Sequence, residues 1–83
     1  MFYQNSEGKL YNLSLVRLIN KRECSDYFAI FFDGSLVETF KEELRATRFL
    51  IWLREQIKAG LKAINFYDFA ENWRANGKQG VQT

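Results

Sequence analysis

The chain has 83 residues, 47% of them hydrophobic and 17% aromatic, with 12 basic and 10 acidic groups for a net charge of +2. This is the length of one small domain, which buries only roughly 60–65% of its unfolded surface, and the apolar content excludes a disordered chain. The charge is too weak to imply nucleic acid by itself, although it is uneven: residues 1–40 carry four basic and five acidic groups, residues 41–83 eight and five.

Histidine is absent and Cys24 is the single cysteine, so neither an internal disulfide nor a Cys/His zinc site fits. The start, Met-Phe-Tyr-Gln-Asn, has neither the basic nor the apolar region of a signal peptide. No apolar run approaches the ~20 residues of a membrane helix. A cytoplasmic protein with no membrane association and no cofactor is expected.

Phe2-Tyr3-Gln4 reads as a short first strand and Asn5-Ser6-Glu7-Gly8 as a turn. Lys9 to Asn20 then reads as one long strand with imperfect alternation, followed by a polar loop, Lys21-Arg22-Glu23-Cys24-Ser25. Tyr27 to Phe40 reads as a hairpin around Asp33-Gly34, because a two-residue type I′ turn needs φ > 0 at both central positions. A regular register pairs Phe32 with Ser35, Phe31 with Leu36, Ile30 with Val37, Ala29 with Glu38, Phe28 with Thr39 and Tyr27 with Phe40. One face then carries Tyr27, Ala29, Phe31, Leu36 and Phe40, the other Phe28, Ile30, Phe32 and Val37. Both are mainly apolar, so both faces are expected to be covered.

The period then changes. Thr39 and Glu42 form a Thr-x-x-Glu capping box for a helix from about Phe40 or Lys41 to Ala59, with Lys58 in its last turn and Gly60 as the residue after it. Ala46, Phe49, Leu50, Leu53 and Ile57 cluster on one side, widened by Leu44 and Ile51. After a short connector, Gly60 to Ile64, Asn65 caps a second helix with Asp68 three residues on, and Phe66, Phe69, Ala70 and Trp73 share its apolar stripe. Gly77 ends this helix. The expected fold is α+β: an N-terminal antiparallel meander of three to four strands, then one long and one short C-terminal helix. Residues 1–75 form a single domain and 76–83 a flexible tail.

The carboxylates are scattered and explained by caps and turns, no phosphate-binding glycine loop occurs, and the commonest general acid or base is missing. No enzyme is expected. Trp52 stands opposite the apolar arc of the long helix, among Lys41, Arg45, Arg48, Glu55 and Gln56. It reads either as a protein-interface anchor, as a stacking platform for a nucleobase beside cations, or as a residue covered by the second helix folding back. The candidate partner-binding set is Trp52, Arg48, Arg45, Lys41 and Gln56. The candidate dimer face is Phe28, Ile30, Phe32 and Val37, because an apolar strand face left in water is a patch that monomers rarely tolerate. Arg17 and Arg54 read either as charges paired in a specific contact or, favoured here, as side chains whose stems cover core while their heads reach water.

The order of three or four strands and a helix resembles, in element order and without a matching motif, the β4-α single-strand-binding transcriptional cofactor domains. That resemblance implies a dimer and single-stranded nucleic acid as ligand. The reading favoured by the residues themselves is a small non-enzymatic protein-interaction module, a homodimeric adaptor or regulator. A single-stranded nucleic-acid-binding regulator is the alternative.

Overall fold

The computed structural model describes residues 1–82, and the side chains of residues 1–74. The fold is α+β, but its strands form two sheets. The first joins β1 (Phe2–Gln4), β2 (Leu10–Asn12) and β6 (Ala63–Asn65) in the order β2-β1-β6, antiparallel between β1 and β2 and parallel between β1 and β6. The second is an antiparallel meander of β3 (Ile19–Glu23), β4 (Phe28–Phe32) and β5 (Ser35–Phe40). Helices α1 (Glu43–Ala59) and α2 (Phe66–Gln82) flank β6 in sequence.

The expected long strand over Lys9–Asn20 is broken. Asn12 accepts a hydrogen bond from the Ser14 N–H (3.0 Å) and starts a 3-10 turn at Leu13–Leu15. A short polar side chain that satisfies its own backbone competes with a strand ladder, which ends the strand there. The carboxylate of Asp33 then accepts from the backbone N–H groups of Arg17 (3.0 Å) and Leu18 (2.8 Å), and the chain enters β3. Lys21, Arg22 and Glu23, expected in a loop, are therefore the second half of β3.

The Asp33-Gly34 turn forms as expected, with φ of 51° and 84°, the geometry that favours glycine at the second position. Beyond it the register departs from a regular hairpin. Phe31 pairs with Leu36 but Ile30 pairs with Glu38, so Val37 is an extra, bulged residue. The bulge turns Val37, Glu38 and Phe40 toward the interior, all buried, and leaves Leu36 and Thr39 outside. Phe40 thus leaves the face on which alternation alone puts it.

Phe28, Ile30, Phe32 and Val37, expected as the dimer face, belong to the core of the chain itself. The reason is topological: α1 and the first sheet both pack on that side, so no second copy is needed to cover it. Phe49 of α1 is the hub, with ring centroids 5.7 Å from Tyr3 of the first sheet, 5.4 Å from Phe40 of the second and 5.1 Å from Phe69 of α2. One aromatic ring thereby touches every layer, at spacings where edge-to-face pairs are favourable.

Helix α1 begins without the expected Thr39–Glu42 box: Glu42 is its N-cap residue and makes no side-chain capping bond. Thr39 is held in β5 by pairing with Ala29 and cannot turn to the helix. Its other end follows expectation, with Gly60 left-handed at φ 73° and its N–H on the Ile57 carbonyl at 3.1 Å. The connector supplies β6, in which Ile64 is buried beside Tyr3. Asn65 and Asp68 cap α2 reciprocally, each side chain accepting from the other's backbone N–H at 3.0 Å. The backbone of α2 stays helical through Gly77 to Gln82. The side chains past Arg74 lie outside the described residues, and with them the expected character of the tail 76–83.

Candidate interaction surface

The meander has one buried face and one outer face. Lys21 marks the first: its Nζ reaches Glu43 Oε2 (3.4 Å) and Thr47 Oγ1 (3.1 Å) of α1. Arg22, the next residue, marks the second, with its guanidinium 5.4 Å from the centre of the Phe31 ring. The registers Asn20–Phe31–Leu36 and Arg22–Ala29–Thr39 lay two rows across this outer face. By alternation from Asn20, Leu18 extends it at one end. Tyr27 and Lys41 extend it at the other, where they line a shallow cleft with Thr39.

The surface is divided by polarity. At the end nearest the Asp33-Gly34 turn, Leu18 is 58% exposed and Leu36 50%, with half-buried Phe31 between them. At the far end stand Arg22, Thr39, Tyr27 and Lys41. No carboxylate occupies a strand position on this face. Asp33 in the turn is engaged by the Arg17 and Leu18 N–H groups, and Asp26 sits in the loop before β4, at the rim of the cleft.

The residues first singled out on α1 do not form a surface of this kind. Trp52 is 5% exposed, packed on Phe49 (5.9 Å) and on Phe69 of α2 (5.5 Å). The covering by α2 is therefore the arrangement that occurs, and the exposed-anchor reading is corrected. A helical wheel of α1 alone places Trp52 opposite the apolar arc. Two partners pack on the helix, however, and the buried set becomes Ala46, Phe49, Trp52 and Leu53, while Leu44, Ile51 and Ile57 are exposed. Arg45 lies with its guanidinium 5.7 Å from the Trp73 ring, its Nε buried without a hydrogen-bond partner among the described residues. Gln56 is half-buried, and Arg48 and Lys41 are exposed. Arg17 and Arg54 are exposed, as expected. Of the candidate set, only Lys41 lies on the outer sheet face.

The sequence pattern divides β3 between a strand and a polar loop, which hides the place of Arg22. In β3, Asn20 and Arg22 share one phase of the alternation, and Leu18, just before the strand, continues it.

A second constellation is buried. Glu38 is 4% exposed and accepts hydrogen bonds from the Tyr3 hydroxyl, the Ser6 N–H (3.0 Å) and the Ser6 hydroxyl (2.6 Å). Beside it, buried Asn5 donates to the Val37 carbonyl (3.0 Å) and accepts from the N–H groups of Glu7 and Lys9. These bonds tie the β1–β2 turn of the first sheet to the bulge of the second. Burial raises the Glu38 carboxyl above its ordinary value, against the opposing pull of the Ser6 and Tyr3 hydrogen bonds. The Tyr3 hydroxyl is raised by its own burial and by the adjacent Glu38. A fully satisfied buried network of this kind rigidifies the join between sheets.

Among the described residues no three His, Cys, Asp or Glu side chains are grouped as a metal site requires, and no helix is long and apolar enough to cross a membrane. Compared with protein-family models, curated proteins and solved structures, the chain matches none.

Proposed function

We propose that the chain is a small non-enzymatic protein-interaction module, acting as an adaptor or regulator through the outer face of the β3-β4-β5 sheet. The observation that carries this reading is the apolar row of exposed Leu18 and Leu36 with half-buried Phe31 between them, on a sheet whose other face is buried. Apolar residues gathered on one exposed face, rather than scattered singly, mark a surface for a partner.

Pairing of two copies through the same face is the homodimeric form of this reading. It loses its first support, because Phe28, Ile30, Phe32 and Val37 are already core. Single-stranded nucleic acid is less well served. Its bases stack on open aromatic faces, and the Phe31 ring is already occupied by Arg22. The test is selection of peptides from a displayed library on the wild-type chain, counter-selected on Leu36→Glu, beside titration with single-stranded oligonucleotides at two salt concentrations. Peptides that discriminate the two proteins are expected. Salt-sensitive oligonucleotide binding in their place overturns the reading.

A further inference from the structure

Resting on that reading of the outer sheet face, we infer that its partner is an acidic segment carrying apolar side chains, docked with its apolar groups on Leu18, Phe31 and Leu36 and its carboxylates toward Arg22 and Lys41. The argument is charge complementarity. Leu18 and Leu36 supply apolar contact area beside the Arg22–Phe31 stack, and the far end supplies two cations, Arg22 and Lys41, against one carboxylate, Asp26, at the rim of the cleft. Complementary potentials of this kind choose among partners more than they add affinity.

A second copy fits the same face poorly. A two-fold dimer brings the same patch against itself. If the axis runs along the strands, the cationic ends meet, with Arg22 at the β3 edge of each copy opposite Lys41 at the β5 edge of the other. If it runs across them, the leucine end meets the cationic end. Both arrangements set a charge against a like charge or against apolar surface, and the second loses solvation with no partner gained. An acidic segment meets neither difficulty. Arg22 is also held ready, since its stack on Phe31 fixes the guanidinium above the apolar row at 5.4 Å.

Three fluorescein-labelled peptides test this by fluorescence anisotropy: one alternating Leu with Glu, one Leu with Ser and one Leu with Lys. The wild-type chain is expected to bind the Glu peptide most tightly and the Lys peptide least. Raising the salt should narrow the difference. The double variant Arg22→Glu/Lys41→Glu should weaken the Glu peptide by about tenfold, as expected for two partly exposed charge pairs, and invert the preference toward the Lys peptide. Lys41→Glu alone leaves the Arg22–Phe31 stack in place and should shift the preference in the same direction, so a folding defect of the double variant does not decide the outcome.

Equal binding of all three peptides, abolished by Leu36→Glu, keeps the interaction module and overturns the acidic partner. Binding of none of the three overturns the inference, and oligonucleotide binding in their place overturns the module as well. A mass of about twice the 9.9 kDa chain that Leu36→Glu returns to one chain assigns the face to a second copy and overturns the inference too.

Discussion

Two side chains set the limits of substitution in this protein. Trp52 has its ring against both Phe49 and Phe69, so Trp52→Ala should open a cavity and cost about 3–5 kcal/mol. Trp73 is only half-buried, with Phe69 at 6.4 Å on one side and the Arg45 guanidinium near its ring. Trp73→Ala should therefore be the milder change, and paired urea melts of the two variants check the order. Glu38 is the other case. Removing its carboxylate in Glu38→Ala leaves the wholly buried Tyr3 hydroxyl without its acceptor, a loss of about 1–3 kcal/mol. Gln at the same place can accept from Tyr3 and the Ser6 N–H through its oxygen and donate to the Ser6 hydroxyl through its nitrogen. The folded carboxyl is raised above the ordinary 4.5, so from there up to its folded value the native state holds a proton that the unfolded chain has released. Stability from this group therefore falls as pH rises through that window. Glu38→Gln should match the wild type near pH 4 and equal or exceed it at neutral pH. A difference curve that rises toward acid instead would reverse the sign.

At the scale of elements, local chemistry and packing do not carry equal weight. The Asn65–Asp68 cap is made wholly of neighbouring residues, and its two bonds at 3.0 Å were legible from the spacing alone. Asn65→Ala should cost about 1 kcal/mol, the usual value of such a cap. A calorimetric melt of that variant indistinguishable from wild type would show that the packing of Phe66 and Phe69 holds the first turn without it. The Thr39–Glu42 pair has the same sequence signature and forms no cap, because Thr39 is claimed by the β5 ladder. The bulge at Val37 shows the same priority. Regular alternation places Glu38 on the outer face, and one extra residue takes it inside to Tyr3 and Ser6. A one-residue shift exchanges every side chain between faces, so the polar partners offered by the first sheet decide the register.

The whole molecule is closed by its late segments. β6 completes the first sheet by parallel pairing with β1, and α2 covers Trp52 and Phe49. A fragment of residues 1–60 lacks both and leaves Tyr3, Phe49 and Trp52 in water. It should lose the cooperative melt of the full chain and bind a hydrophobic dye, whereas a fragment that melts sharply would show that the first five strands and α1 suffice. The chain by itself determined the elements that neighbours in sequence can make: the Asp33-Gly34 hairpin, the course and glycine end of α1, the capped start of α2 and the α+β class. It also determined that the hairpin is apolar on both sides. Only the tertiary structure decided that the strands divide into two sheets, that β6 exists, that Trp52 is buried, and that Leu18 and Arg22 join Phe31 and Leu36 on one face. Each of these depends on contacts between segments far apart in the chain, such as Phe2 with Ala63 or Tyr3 with Glu38. Periodicity reports only the angle of a side chain about its own helix or strand, and which side becomes the inside is set by what the rest of the chain brings to it.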